Sequence, residues 1–183
     1  MSDPTLPLER VRPLLRTRQV REFAPEPPSE DEIHALTEVA RWSGSSRNGQ
    51  PWRFIVVRSR DVIERIHEAG LPSTRALRTA PVGIAITLPG DPANLEHAFD
   101  EGRAAERLLI AAGILGLGAG IAWIPFRARS LAAELLGLPE DRWVRTIVVV
   151  GHPSEAASLP KSAPGEARLP AAETVLRERW PQD

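Results

Sequence analysis

Short runs of apolar residues constrain the fold of this chain most. They read FIVVR at 54–58, PVGIAITL at 81–88 and VRTIVVV at 144–150, and each is five to eight residues long. Runs of this length that are rich in β-branched residues are typical of strands inside a protein core. Residues 119–124 are a candidate for one more strand. The chain therefore predicts a small sheet of about four strands.

Helical patterns lie between these strands. Ser29 and Glu32 form a capping box, followed by apolar residues at helical spacing up to Gly44. Further helices are predicted at 61–69, 91–117 and 131–136, with a rough helical stripe at 6–15 that Pro13 interrupts. The longest helix is rich in small residues, which predicts a deeply buried helix or one at a subunit interface. The pattern predicts an α+β fold with helices packed on the sheet.

Length and composition limit the domain count and the type of chemistry. The 183 residues suit one domain, with an extended C-terminal arm at about 152–183. The absence of cysteine excludes disulfides and thiol redox chemistry, so any redox activity needs a cofactor. The net charge of −1 gives no global reason to expect nucleic acid or an anionic membrane as partner. No signal peptide, membrane span or metal site is predicted, and a cytoplasmic protein is expected.

The stretch Gly116–Gly120, GLGAG, contains glycines at alternate positions. A dinucleotide-binding fingerprint needs a strand before it and a helix after it, whereas here the predicted order is reversed. A glycine C-cap and a tight turn from helix to strand therefore explain this stretch better. The glycines would still permit a close approach of another group to the backbone.

The stretch Gly44–Phe54, GSSRNGQPWRF, contains many hydrogen-bonding side chains around a Pro-Trp pair. Trp52 and Phe54 are expected in the core, where they would support the loop. A loop that only reverses the chain needs one or two polar side chains, but a loop that binds a flat heteroaromatic ring needs several. Both interpretations remain open from these residues alone.

Two arginines lie close together in an extended segment, Arg18 and Arg21. A pair of this kind is often solvated surface, but guanidinium groups also bind phosphate oxygens in pairs. Arg168 is an isolated arginine in the C-terminal arm and by itself indicates nothing.

In combination and in this order, three segments resemble the FMN-dependent nitroreductase family. RTRQVREFAPEPP is similar to that family's Arg-Arg-Ser-x-Arg-x-Phe opening, and ARWSGSSRNGQPWRFIVV to its Ala-Pro-Ser-x-x-Asn-x-Gln-Pro-Trp-x-Phe motif. The third segment comprises GLGAGIAWI, VVVGHP and a late RLP. The resemblance spans residues 12–175.

The resemblance implies a mainly antiparallel sheet of four to five strands and a homodimer with FMN at the subunit interface. It implies NAD(P)H as electron donor and ping-pong hydride transfer to a nitroaromatic, quinone or related small electrophile. By position, the phosphate and ribityl chain would contact Arg18, Gln19, Val20, Arg21 and Arg168. The isoalloxazine ring would contact Ser45, Ser46, Asn48, Gln50 and the 122–124 backbone (Ala122, Trp123, Ile124), with Arg75 as a further basic neighbour.

The chain also departs from the family pattern. Thr17 replaces the usual first arginine, Gln19 a serine and Gly44 a proline. These departures concern phosphate affinity and substrate choice. Two alternatives stay open: another reaction on the same FMN scaffold, such as dehalogenation, flavin fragmentation or dehydrogenation, and a flavin-binding protein without turnover.

Overall fold

Four antiparallel strands form the centre of the molecule. The computed structural model describes residues 6–159 and 168–180. The strands are β1 (Arg53–Val57), β2 (Val82–Pro89), β3 (Gly118–Trp123) and β4 (Arg142–Gly151). Their order is β1-β2-β4-β3, and each neighbouring pair is antiparallel. The α+β class and the antiparallel sheet are confirmed.

Helices connect and cover the strands. In chain order they are α1 (Leu6–Leu15), α2 (Glu30–Arg41), α3 (Arg60–Gly70), α4 (Leu95–Ile114), α5 (Phe126–Leu135), α6 (Glu155–Ser158) and α7 (Ala171–Thr174). The predicted capping box is present at α2, where Ser29 Oγ accepts from the Glu32 N–H and the Glu32 carboxylate accepts from the Ser29 N–H. Within the described part of the chain, no helix is both long and apolar enough to cross a membrane.

The sheet separates two layers of core. Helices α2 and α4 pack on one face, and α3 and α5 on the other. Because both faces are covered, β2 is buried from Val82 to Leu88. Successive β2 side chains point to opposite faces of the sheet. Ile84 and Ile86 pack in the layer with α4, and Ala85 packs in the layer with α3 and α5. This explains why the strands read as continuous apolar runs.

The predicted extended segment with Arg18 and Arg21 lies beside β3. The Val20 N–H donates to the Ala119 carbonyl at 2.7 Å, and Gln19 forms a parallel bridge with Ala119. A Cβ on Gly118 would lie 2.9 Å from the Val20 side chain, and one on Gly120 would lie 2.1 Å from the Val20 carbonyl oxygen. The close approach that these glycines permit is therefore that of the protein's own N-terminal segment.

The turn between α4 and β3 is the glycine turn expected from GLGAG. Gly116 has a φ of +76°, which favours glycine. The Leu117 N–H donates to the Ala112 carbonyl at 2.8 Å, and the Gly116 N–H donates to the Gly113 carbonyl at 3.3 Å. These two bonds form a Schellman motif.

Three helices differ from the prediction, and one of them, α4, begins at Leu95 rather than Asp91 because Asn94 caps it. Helix α5 begins at Phe126, five residues before the predicted start, because its buried stripe consists of the small residues Ala128 and Ala132 and gives a weak apolar signal. The sequence predicted that Pro13 interrupts helix α1, but the helix continues through Pro13 and ends at Leu15. The proline lies in the last turn, so it removes one hydrogen bond close to the helix end.

Candidate functional site

The segment with Arg18 and Arg21 forms one wall of a surface pocket. The pocket has a volume of about 440 Å³ and is lined by residues 18–22 and by Ala156 and Ala157 of α6. The segment is held in place by its bridge to β3 and by a second bridge between Phe23 and Pro153. Backbone pairing thus fixes the segment, while the side chains of Arg18 and Arg21 remain exposed.

The polar side chains of this pocket contact one another and nearby carbonyl groups. Arg18 Nη2 donates to the carbonyls of Ala157 at 2.5 Å and Ser158 at 3.1 Å. Arg21 Nη2 donates to Gln19 Oε1 at 3.1 Å, and this oxygen also accepts from the Ile121 N–H at 3.3 Å. Neither arginine takes part in an ion pair with a described residue. Both keep N–H donors for an anion in the pocket.

A second pocket lies between the loop after α2 and the first half of α4. Its volume is about 390 Å³, and it is lined by Ser45, Ser46, Leu95, Glu96, Phe99, Asp100 and Arg103. Asp100 is nearly buried and accepts from the Ser46 N–H through both carboxylate oxygens, at 3.2 and 3.0 Å. Helix α4 therefore positions Ser46 through the carboxylate of Asp100.

The rest of this loop is held from beneath. Trp52 is buried in the layer of α2 and α4, as predicted, and the Gln50 N–H donates to Ser45 Oγ at 2.9 Å. Arg142 Nη2 donates to the Pro51 carbonyl at 2.8 Å. Burial, and then the neighbouring charge of Arg53, lower the pKa of Arg142. The buried Trp52 and these hydrogen bonds thus fix the loop on the protein core, while its exposed side chains are polar.

Three residues of the loop adopt left-handed backbone conformations without being glycine. The φ values are 49° for Arg47, 56° for Asn48 and 47° for Gln50. Such conformations cost of order 1–3 kcal/mol each and concentrate at functional sites. Asn48 and Gln50 are exposed, and Gln50 Nε2 donates to Asn48 Oδ1 at 3.3 Å. Their amide groups are therefore presented at the surface beside Ser45 and Ser46.

The end of β3 presents the third group of predicted site residues. Ala122 and Ile124 are buried, whereas Trp123 is 46% exposed. The Trp123 ring stacks on the guanidinium of Arg145, whose Cζ lies 5.0 Å from the ring centroid and 5.0 Å from that of Trp143. The Ile124 N–H donates to the Arg145 carbonyl at 2.7 Å. Arg145 therefore holds the strand end through both its side chain and its backbone.

Charged residues below this strand end were not predicted from the sequence. Arg145 forms a buried ion pair with Glu101 of α4, and the second oxygen of Glu101 has no hydrogen-bond partner among the described residues. Arg129 Nε donates to the Ile124 carbonyl at 3.3 Å, and burial, followed by the charge of Arg145, lowers the pKa of Arg129. Asp100 and Glu101 occupy core-facing positions of an otherwise apolar helical stripe, and this placement was the available signal.

The structure does not bring all predicted site residues together within one chain. The pocket of Arg18, Gln19, Val20 and Arg21 and the pocket of Ser45 and Ser46 share no lining residue. Arg168 is exposed and is the first described residue after the interval 160–167. Arg75 is exposed in a 3₁₀ turn, Arg75–Leu77, that contacts β3.

Comparisons with known proteins identify relatives of this chain. A family model described as the nitroreductase family matches residues 14–75. A protein of Archaeoglobus fulgidus, provisionally named an NADH dehydrogenase/NAD(P)H nitroreductase, is 30% identical over 156 residues, which cover 80% of this chain and 87% of the relative.

Solved structures show the same fold. B. megaterium NfrA2 has a TM-score of 0.81 at 26% identity, over 96% of this chain and 76% of that one. A Clostridium difficile protein described as an FMN-dependent nitroreductase has a TM-score of 0.80 at 22% identity, over 92% of this chain and 98% of that one. At 22% identity the second likeness concerns the fold alone.

Proposed function

Because this chain belongs to the nitroreductase family of oxidoreductases, we propose that it binds FMN and transfers electrons from NAD(P)H to a nitroaromatic, quinone or related small electrophile. The single observation that carries the proposal is the pair of pockets, one lined by Arg18 and Arg21 and the other by Ser45 and Ser46.

The first pocket suits the phosphate end of FMN. A phosphate group carries nearly two negative charges and accepts charge-assisted hydrogen bonds from guanidinium groups. Arg18 and Arg21 line the pocket and have no carboxylate partner among the described residues. Gln19 and the Val20 backbone would contact the ribityl chain, and Arg168 would approach from the C-terminal arm.

The second pocket and the end of β3 suit the ring end. Ser45, Ser46, Asn48 and Gln50 offer hydroxyl and amide groups on a loop that Asp100 and Trp52 support from beneath. The isoalloxazine ring has several nitrogen and carbonyl groups that need such partners. The backbone of residues 122–124 would contact the ring, and the ion pair of Arg145 with Glu101 would keep this strand end in position.

Two chains are needed to complete the site in this proposal. The two pockets share no lining residue within one chain, and in the proposal a second copy would supply one of the two ends. Apolar surface for such contacts is present on α1, where Leu8, Val11, Leu14 and Leu15 are exposed, and on the arm, where Val175 and Trp180 are exposed. We propose a homodimer with FMN at its interface.

The chain's own residues would bind and orient the cofactor rather than react. When bound, FMN would supply the redox chemistry, which is hydride transfer from NAD(P)H and electron transfer to the acceptor. The arginines would neutralise the phosphate, and the serine loop would hold the ring and exclude water from one side. The lack of cysteine is consistent with this division of roles.

The absorption spectrum of the purified protein tests the proposal. We expect bound flavin that is bleached by NADH or NADPH and reoxidised by a nitroaromatic or a quinone. A protein that is colourless and fails to bind added FMN would contradict the proposal. Bound flavin that neither nucleotide reduces would instead indicate another reaction on the same cofactor.

Substitution of Arg21 tests the phosphate end. Arg21→Ala should weaken FMN binding by about 1.5–3 kcal/mol, the contribution of a hydrogen bond to a charged group, which is roughly a 10- to 100-fold increase in Kd. Arg65→Ala is the control, because Arg65 lies on α3 and lines neither pocket. Equal Kd values for the two variants would remove Arg21 from the site.

A further inference from the structure

The guanidinium of Arg103 faces the second pocket without a hydrogen-bond acceptor among the described residues. Its nearest carboxylate oxygen, Asp100 Oδ1, lies 3.9 Å from Nη1, and its Cζ lies 5.7 Å from the centroid of the Phe99 ring. The neighbouring arginines are engaged, because Arg41 pairs with Glu38 at 2.7 Å and Arg107 donates to the Trp42 carbonyl at 2.9 Å. Arg103 thus lines the pocket with N–H donors that form no hydrogen bond to a described residue.

Gly44 makes room for this guanidinium. A Cβ built on Gly44 would lie 1.9 Å from Arg103 Nη2 and 2.7 Å from its Cζ. Any other residue at this position would displace Arg103 from the loop. The family pattern has proline at this position, so the departure at Gly44 and the position of Arg103 belong together.

The surroundings of Arg103 suit a planar ring. Phe99 is 69% exposed and Leu95 is 84% exposed, and both line the pocket with Arg103. A neighbouring pocket of about 520 Å³ shares Phe99 and Arg103, so the two form a continuous surface along α4. Aromatic and aliphatic walls with one oriented charged group are typical of sites for small aromatic ligands.

Asp100 offsets part of the charge of Arg103 but does not occupy its hydrogen-bond donors. The Asp100 carboxylate is 3% exposed, forms an ion pair with Arg103 at 3.9 Å, too long for a hydrogen bond, and accepts from the Ser46 N–H. Glu96 precedes Arg103 by two helical turns, about 10 Å along the axis. Glu106 lines only the neighbouring pocket, which also contains Arg107. A carboxylate at the guanidinium of Arg103 would therefore meet N–H donors that no described residue accepts from.

We propose that Arg103 and Phe99 select an electron acceptor that is an aromatic ring bearing a carboxylate. The guanidinium would bind the carboxylate, and the Phe99 ring would contact the aromatic ring. This inference rests on the proposed function, because Ser45 and Ser46, the predicted ring contacts of FMN, line the same pocket. An acceptor held by Arg103 would then lie beside the cofactor.

A matched pair of acceptors tests the inference in turnover. 4-Nitrobenzoate and 4-nitrobenzamide share a ring and a nitro group but differ in charge. In Arg103→Gln we expect kcat/KM for 4-nitrobenzoate to fall roughly 10- to 100-fold, the scale of a lost charged hydrogen bond, with at most about a twofold change for 4-nitrobenzamide. Gly44→Ala should change the ratio in the same direction, because it displaces Arg103. Arg41→Gln is the control, since Arg41 lines neither pocket.

Binding of benzoate, which has no nitro group to reduce, provides a readout without turnover. We expect titration calorimetry to show weaker benzoate binding in Arg103→Gln than in the wild type, and intermediate binding in Arg103→Lys, which keeps the charge but loses the planar fork. Equal losses for both nitro compounds, or unchanged benzoate binding in Arg103→Gln, would overturn the inference. A protein without flavin that still binds benzoate through Arg103 would refute the proposed function and leave this site standing.

Discussion

At the residue scale, Arg145 is the residue on which the end of β3 depends. Its side chain is 12% exposed, pairs with Glu101 and lies between the rings of Trp123 and Trp143. A β-bulge brings it there. Ile86 pairs with Thr146 and Thr87 with Val144, which leaves Arg145 as the extra residue of β4. Bulges commonly redirect a side chain in this way beside functional sites.

Substitution of Arg145 should destabilise the protein strongly. Arg145→Met leaves the Glu101 carboxylate buried without its partner, which costs about 3–5 kcal/mol. The double variant Glu101→Leu/Arg145→Met removes both charges and should recover most of the loss. Urea unfolding, followed by circular dichroism at fixed protein concentration, measures both.

The control for this prediction is an exposed ion pair. Arg41→Met removes the pair of Arg41 with Glu38, whose side chains are 58% and 41% exposed, and should cost about 0–1 kcal/mol. If Arg145→Met were no more destabilising than Arg41→Met, the Glu101–Arg145 pair would have no special role in holding the strand end.

At the element scale, side-chain caps determine where the helices begin. Ser29 caps α2, Ser59 caps α3 and Asn94 caps α4. The cap at Asn94 places the first turn of α4 after the predicted start at Asp91, and it thereby sets the helical positions of Phe99, Asp100 and Arg103. These three residues line the second pocket. The start of one helix thus governs part of the candidate site.

The capping box of α2 should make stability depend on pH in acid. Hydrogen bonds from the Ser29 backbone and then from its side chain lower the pKa of Glu32 below its ordinary value of 4.5. Because the folded-state pKa is depressed, this stabilisation is fully present above the unfolded-state pKa. It is lost as the pH falls through the folded-state pKa.

Melting temperatures across this pH range check the prediction. Glu32→Gln should have a lower Tm than the wild type at neutral pH, and the difference should shrink as the pH falls below 4.5. Asp31→Asn is the control, because Asp31 lies in the same helical turn and has no hydrogen bond or ion pair with a described residue. A Tm difference that is constant with pH would show that the Glu32 charge does not contribute.

At the scale of the whole molecule, the single chain leaves much apolar surface uncovered. The stripe on α1 that the sequence predicted is present, but Leu8, Val11, Leu14 and Leu15 face outwards. On the C-terminal arm, Val175 and Trp180 are also exposed. Exposed apolar groups of this extent are typical of interaction surfaces. A second copy of the chain would cover them and complete the proposed cofactor site.

Sedimentation velocity tests the proposed homodimer. We expect a species of twice the 20.1 kDa mass of one chain. Trp180→Ala should raise the dimer dissociation constant at least roughly 10-fold, because buried tryptophans are frequent hot spots of interfaces. Leu71→Ala, at an exposed leucine outside α1 and the arm, should leave the constant unchanged. A monomer that binds FMN fully would contradict the shared site.

Much of the fold could be predicted because its signals are local. The β4 strand, the α2 capping box and the Gly116 turn each depend on residues within a few positions of one another. The start of α5 was missed because alanines give little apolar contrast. The candidate site residues remain predictions, although the loop of Ser45 and Ser46 and the Arg18 segment each line a pocket.

The sequence by itself determined most of the elements that form, that helices pack on the sheet, and which polar segments are candidates for a cofactor. Only the tertiary structure decided what those segments contact. Val20 crosses Gly118 and Gly120, a bulge directs Arg145 towards Glu101, and Arg103 occupies the space above Gly44. Each contact joins residues far apart in the chain, so it depends on strand order and helix packing rather than on any local pattern.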